Sequence, residues 1–492
     1  MLTIHTVEQM REMDAQLGAS MPMDHVIDRA GYGVAMMAAT ILGRTYGAKV
    51  VVVVGKGNNG NDGRAAAKVL SGLGARVVIE PYEATRSSAT NQADLTIDAV
   101  FGFGFRGDFD GIANLGAARL LALDMPSGLD ADTGGASAAT HEAAFTLSLV
   151  AVKLGQLIGD GPRLCGETYL YPLGATPSVA SAGWLVQPGD INIADKDMAS
   201  HKWSSALGVF AGSAGMSGAA VLASGAGLRG GAGIVHLFSR DSSAPAIVSA
   251  RIPEVVLRLV EFDADGGGFE SPPDLSRFAA LVVGPGLGAD AGAMLGWLAD
   301  RYDGPLVIDA DAVVALGEDP RLLDRIAQRP SPSVLTPHGG ELARLIKGAP
   351  SLRDHDSLKE FALKHRVFLL IKGYPTKIYS PNGELHVVAG NGRALATAGT
   401  GDVLSGIIGA RVASGRLDAM TIAEAVMIHS LAALVPPGPP LTAFDLLERI
   451  PAAIRLLSSE SREFWPESAF VPIGSQGPLY FPSQSKIDWA LR

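Results

Sequence analysis

The residues best suited to chemistry lie in two glycine-rich segments. Ala396-Thr397-Ala398-Gly399-Thr400-Gly401-Asp402 packs small residues directly ahead of an apolar helical run, Val403, Leu404, Ile407 and Ile408. Backbone N–H groups at such a helix start are left uncovered, so a phosphate can come close. Asp402, in the first turn, is favoured as a carboxylate by the helix end and stands where a phosphoryl acceptor would sit, the place for a general base. The second segment, Gly55-Lys56-Gly57-Asn58-Asn59-Gly60-Asn61-Asp62-Gly63, has the spacing Gly-x-Gly-x-x-Gly with Glu80 closing the next strand, so a dinucleotide fingerprint has to be considered. That fingerprint wants small residues where Asn58, Asn59 and Asp62 stand. These side chains suit a site that binds through amides and a carboxylate.

The elements that must position these residues follow from periodicity. Thr6-Val7-Glu8-Gln9 is a capping box opening a helix to about Leu17, and a second helix covers 24–42. The β-branched run 49–54 reads as a buried parallel strand feeding the glycine loop and a helix from Arg64. Strands at 94–100 and 120–123 carry Asp98 and Asp124 at their C-terminal ends. In an open α/β sheet, ligands sit beyond those ends, so Asn59, Asp98 and Asp124 converge there, which suits a hard cation or a proton-transfer site. Further strand-and-turn units appear near 207–214, 281–288, 306–311, 334–338 and 367–373, separated by helical segments, the pattern of a second mainly parallel sheet. Of Asp309 and Asp311 at one strand end, one faces the site and one does not. His338, in a Pro/Gly turn, can meet a ligand amide or phosphate, although a lone histidine is more often structural. The small-residue stretch 225–233 permits close packing of subunits.

With 492 residues, two large domains are expected, joined by the Pro-containing stretch after Pro172 with a boundary near Ile193. A net charge of -10 without a dense basic run argues against nucleic-acid or membrane surfaces. The single cysteine, Cys165, rules out an intrachain disulfide, and neither a signal peptide nor a membrane-length apolar run is legible, so a cytoplasmic protein is expected.

Gly57-Asn58-Asn59-Gly60-x-Asp62-Gly63, Asp124-x-Pro126-Ser127-Gly128-Leu129-Asp130-x-Asp132-Thr133-Gly134 and Thr146 followed by Lys153-x-Gly155 resemble the NAD(P)HX epimerase domain, which interconverts the two epimers of hydrated NADH or NADPH. The resemblance implies a Rossmann-like three-layer domain over 1–192 and a potassium ion held by Asn59, Asp98 and Ser127. It also implies that Asn58, Asn59, Gly60, Asn61 and Asp62, Gly102, Phe103, Gly104, Phe105, Arg106, Gly107 and Asp108, and Asp124 line the hydrate, with Asp124 and nearby Lys153 as the acid/base pair. Asn61 stands where the family has glycine.

Gly212-Ser213 with Gly218-Ala219, Gly284-Pro285-Gly286-Leu287-Gly288, Asp309-Ala310-Asp311-Ala312, Thr336-Pro337-His338-x-Gly340-Glu341, Lys372-Gly373 and Gly399-Thr400-Gly401-Asp402 resemble the ADP- or ATP-dependent NAD(P)HX dehydratase of the ribokinase-like superfamily. This implies a ribokinase-like α/β domain over 193–492, with 460–492 an atypical aromatic-bearing tail. Ala219, Gly288, His338 and Asp402 would contact the hydrate, and Lys372, Gly373, Tyr374, Pro375, Thr376 and Gly401 would hold the adenine nucleotide with its magnesium. Tyr374 stands where a small residue is expected. The function implied is repair of NADHX and NADPHX by epimerisation and nucleotide-dependent dehydration, in a homo-oligomer. A ribokinase-like small-molecule kinase would use 399–402 and leave Asn58, Asn59, Asp98 and Asp124 idle; an NAD-dependent dehydrogenase would rest on Gly55 to Gly60 and Glu80.

Overall fold

The computed structural model describes the chain apart from residues 85–91, 114, 116–118, 175–177, 194–197, 262–268, 347–353, 391–393, 436–440, 459–470 and 473–492. Two compact units divide it, the first over Met1–Leu185 and the second from Val186. Most of the tail lies outside the described residues. Its described pair, Val471–Pro472, adds an antiparallel strand to the first unit's sheet.

In the first unit the strands are β1 Leu2–His5, β2 Lys49–Val54, β3 Arg76–Pro81, β4 Leu95–Ala99, β5 Arg119–Leu123, β6 Phe145–Leu149, β7 Val152–Lys153, β8 Glu167–Tyr171 and β9 Gly183–Val186. β8, β6, β5, β4, β2 and β3 lie side by side in that order, all parallel. β2 is buried on both faces after Lys49, as its unbroken valine run requires. β1 pairs parallel with β7 and antiparallel with β9, which sets Lys153 beside His5.

Thr6 caps the first helix, Val7–Ser20, through the reciprocal box: Gln9 N donates to Thr6 Oγ1, and Thr6 N donates to Gln9 Oε1 at 2.9 Å. One boundary differs from expectation. The helix after β2 begins at Asn58, so the glycine-asparagine segment is its first turns and not a loop ahead of it. Glycine makes this possible by omission, because a Cβ on Gly60 would fall 2.1 Å from Gly55 O and one on Gly63 2.5 Å from Ala99 Cβ.

The second unit's strands are β10 Ala206–Phe210, β11 Ile234–Ser239, β12 Val256–Leu259, β13 Ala280–Val283, β14 Leu306–Ile308, β15 Ser333–Leu335, β16 Phe368–Ile371, β17 Thr376–Tyr379 and β18 Leu385–Val388. Their order is β12, β11, β10, β13, β14, β15, β16, β17, β18, parallel through β16 and antiparallel beyond. Helix Thr400–Ser414 is buried almost all round and crosses helix Ser217–Arg229 closely; a Cβ on Gly406 would sit 2.2 Å from Ala223 O. Small residues in 225–233 serve the same interior packing: a Cβ on Gly225 would meet Ile252 at 2.4 Å, and one on Gly227 would meet Leu207 at 2.7 Å. Among the described residues no helix is long and apolar enough to cross a membrane.

Candidate active sites

The first unit holds a cavity of about 610 Å³ beyond the C-terminal ends of its parallel strands. Asn58, Asn59 and Asp62 reach it from the helix after β2, Gly102 to Arg106 and Asp108 from the segment after β4, and Asp124 from the end of β5. Asp124 lies on the cavity wall. Its backbone has φ 70, a left-handed conformation unusual for a residue with a side chain. That turn holds its carboxylate under two backbone donors, Leu149 N to Oδ1 at 3.2 Å and Phe103 N to Oδ2 at 2.9 Å. Lys153 Nζ donates to Oδ1 as well, and also to Ser148 Oγ at 3.1 Å and Leu149 O at 2.7 Å. Lys153 is wholly buried with all three ammonium donors engaged. It therefore fixes Asp124 without reaching the cavity.

Gln156 completes this framework and was not anticipated. Its Nε2 donates to Asp124 O at 3.0 Å, and its Oε1 accepts from Lys153 N at 2.9 Å and Ser148 Oγ at 3.2 Å. The signal was present as a Gln three residues after the helix-opening position. Asp14, Met10 and Val26, from the first two helices, also line the cavity without any motif to announce them. Gly60, Asn61 and Gly107 are not on the wall. Gly60 packs on Gly55, Asn61 is exposed, and Gly107 adopts φ 101 in an exposed turn.

Asp98 and Ser127 come together beneath the cavity. Ser127 donates from N to Asp98 Oδ2 at 2.9 Å and from Oγ to Oδ1 at 2.6 Å, and Val100 N donates to Oδ1 at 3.2 Å. Burial pushes the Asp98 carboxyl up, opposed by these hydrogen bonds, and no cationic side chain pairs with it among the described residues. Asn59 Nδ2 donates to Leu123 O at 3.2 Å, which frees its Oδ1. A buried carboxylate beside a hydroxyl oxygen has donor chemistry that fits a monovalent or hard cation.

In the second unit three adjacent parallel strands deliver three polar residues: Asp309 after β14, Thr336 after β15 and Lys372 after β16. Asp309 is the buried member and Asp311 the outer one. Asp309 Oδ1 accepts from Thr336 Oγ1 at 2.7 Å and from Lys372 Nζ at 2.6 Å, while Oδ2 accepts from Ser405 Oγ. Asp311 Oδ2 instead accepts from Gly288 N at 2.8 Å. Between them Ala310 has φ 47, and Asp309 O packs on Gly284, where a Cβ would lie at 1.8 Å.

Asp402 stands in the first turn of helix Thr400–Ser414, opened by Gly399 at φ 87. Burial, with the nearby Asp309 charge, pushes its carboxyl up to about 7, and Lys372 opposes the rise. Burial works against the Lys372 ammonium, but Asp309 and Glu341 overcome it and hold its pKa above the ordinary value. Glu341 Oε2 lies 3.8 Å from Lys372 and also accepts from His338 N at 2.8 Å. His338 Nδ1 accepts from Gly340 N at 2.9 Å, and its Nε2 lies 3.5 Å from Glu341 Oε1. Gly401 lies beside Lys372, whose Nζ would be 3.4 Å from a Cβ at that position. Ala219 is buried near Gly286, and Thr376 Oγ1 donates to Gly373 O at 3.2 Å across the turn that holds Tyr374 and Pro375.

Comparison with known proteins gives concordant results. A family described as NAD(P)H-hydrate dehydratase matches residues 207–446, and one described as YjeF-related protein N-terminus matches 23–92 and 77–155. The bifunctional NAD(P)H-hydrate repair enzyme Nnr of Thermofilum pendens is 30% identical over 490 residues, covering 88% of this chain and 92% of that protein. Its counterpart of the same name in Mycobacterium tuberculosis is 33% identical over 451 residues, covering 84% and 89%. Among solved structures, the ADP/ATP-dependent NAD(P)H-hydrate dehydratase from Bacillus subtilis co-crystallised with ATP/Mg2+ has a TM-score of 0.48 at 25% identity, covering 57% of this chain and 100% of that one.

Proposed function

We propose, from the premise that the chain belongs to the family of bifunctional NAD(P)H-hydrate repair enzymes, that it returns hydrated NADH and NADPH to the reduced coenzymes. The first unit interconverts the R and S hydrates, and the second dehydrates the S hydrate with ADP or ATP as co-substrate. The observation that carries this reading is Asp402, a carboxylate poised near neutrality at the mouth of a glycine-opened helix. A hydrate carries a hydroxyl that leaves poorly, and phosphorylation turns it into a good leaving group. Asp402 takes the hydroxyl proton, and the N–H groups of Gly399 to Gly401 hold the transferred phosphoryl.

Ala219, Gly288, His338 and Asp402 hold the hydrate in this reading. Lys372 and the turn through Gly373, Tyr374, Pro375 and Thr376, with Gly401, hold the nucleotide, whose magnesium supplies charge neutralisation at the phosphates. In the first unit Asn59, Asp98 and Ser127 would hold potassium, which would neutralise the buried Asp98. The cavity through Asp124 takes the hydrate. Given both NADHX epimers with magnesium, potassium and ADP or ATP, the protein is expected to restore all the reduced-nicotinamide absorbance faster than a no-enzyme control epimerises. No recovery with either nucleotide would contradict the reading.

A further inference from the structure

The acid/base partner that the sequence supplies for Asp124 is Lys153, and the geometry removes it from that task. Lys153 is wholly buried and its ammonium is spent on Asp124, Ser148 and Leu149 O. Asp124 in turn has Oδ1 under Lys153 and Leu149 N and Oδ2 under Phe103 N. Both oxygens of the Asp124 carboxylate are thus committed to donors fixed by the protein. The epimerisation nevertheless has to move a proton. Hydration of an enamine places the hydroxyl on the ring carbon bonded to nitrogen, and one route to inversion there breaks that C–O bond and re-forms it on the other face.

The remaining charged groups on the cavity wall are Lys56, Arg106, Asp108, Asp14 and Asp62. Lys56 is paired with Glu83 at 2.7 Å, and Arg106 with Asp130 and Asp132 at 2.6 and 2.8 Å, so the wall's two cations are already matched. Asp62 is buried, projects from the helix that also carries Asn59, and makes no ion pair among the described residues. Asp14 is only half-buried.

We propose that Asp62 is the catalytic acid of the first unit, giving its proton to the departing hydroxyl and regaining one from solvent after water adds to the opposite face. The proposal rests on the reading of this unit as the epimerase. In the first step the ring nitrogen lone pair forms the C=N bond as the C–O bond breaks, the Asp62 proton goes to the oxygen, and water leaves. In the second, water attacks the other face, the C=N pair returns to nitrogen, the released proton goes to solvent, and Asp62 regains its proton from solvent. Asp124, paired with Lys153, faces the cationic ring. Burial and then the Asp124 charge push the Asp62 carboxyl up to about 8, and the same two causes take Asp14 only to about 6, so Asp62 is the one that keeps its proton at neutral pH.

The test is interconversion of one purified NADHX epimer into the other, without nucleotide, against a no-enzyme control. Asp62→Asn should slow it by about 100-fold with little change in KM, and the wild-type rate should fall above about pH 8 as Asp62 ionises. The wild-type profile decides the matter even if the variant does not fold. Wild type that exchanges epimers with a profile flat through that range, or an Asp62→Asn protein that keeps pace, overturns the assignment while leaving the epimerase reading intact. Wild type that does not exchange them at all overturns that reading and the assignment with it.

Discussion

Both units bury a lysine against an aspartate and set a second carboxylate nearby, yet they divide the labour differently. In the first, the paired Asp124 itself lines the cavity and Lys153 lies wholly beneath it. In the second, the paired Asp309 is a buried anchor shared by Lys372, Thr336 and Ser405, and a separate residue, Asp402, is left near neutrality at the helix mouth. The anchor thus serves as a fixed charge facing substrate in one case and as a fixed post behind the site in the other. On the roles proposed above, the buried Lys–Asp pair positions and the carboxylate beside it handles the proton.

The sharpest way to break this comparison is Asp402→Asn. Loss of a general base is expected to lower nucleotide-dependent dehydration by roughly 10²–10⁴-fold, read as recovery of reduced-nicotinamide absorbance from the S hydrate, with epimer exchange untouched. Next in size is Lys153→Met. It strands the Asp124 charge in a buried site and should cost roughly 3–5 kcal/mol of stability, measured by denaturant unfolding. Lys372→Met should cost less, because Lys372 is partly exposed and Asp309 keeps two hydroxyl donors. Equal costs would erase the distinction between the two anchors.

The pH dependence sharpens it further. As the proposed base Asp402 would work ionised, so dehydration should climb about tenfold per unit up to about pH 7 and level above it. Epimer exchange should hold to about pH 8 and then fall. For stability the sign is opposite to that of an ordinary salt-bridged carboxylate. Both groups have folded pKa values raised above 3.8, to about 8 and about 7, so the folded state keeps protons the unfolded chain has released. Stability should therefore decline as pH rises from about 4 toward about 8, and Asp62→Asn should flatten part of that slope in a thermal-melt series. The smallest effect expected is Thr6→Ala, which removes one half of the capping box and should cost about 1 kcal/mol with both activities retained.

Much of the fold is legible because local rules coincide with tertiary need. The valine run of β2, the Thr6–Gln9 box and the glycine-opened helix at Asp402 each follow from their own few residues. The meeting of Asp98 with Ser127 follows from adjacent strand ends. What escapes the sequence is set by distant elements. The helix start at Asn58 depends on Gly60 sliding against Gly55, an absence of side chain and not a propensity. Asp14 and Met10 reach the cavity only because the first two helices fold over it. The small residues at 225–233 pack inward on Ile252 and Leu207, a choice that composition leaves open.

The most direct test of two separate sites in one chain is complementation between Asp124→Asn and Asp402→Asn proteins supplied with both NADHX epimers, magnesium, potassium and nucleotide. The expected result is that Asp402→Asn alone recovers essentially no NADH, Asp124→Asn alone stalls once the S epimer is consumed, and the mixture runs to completion faster than chemical epimerisation. An Asp124→Asn protein that completes recovery at the wild-type rate, or a mixture that stalls like its parts, would contradict the account.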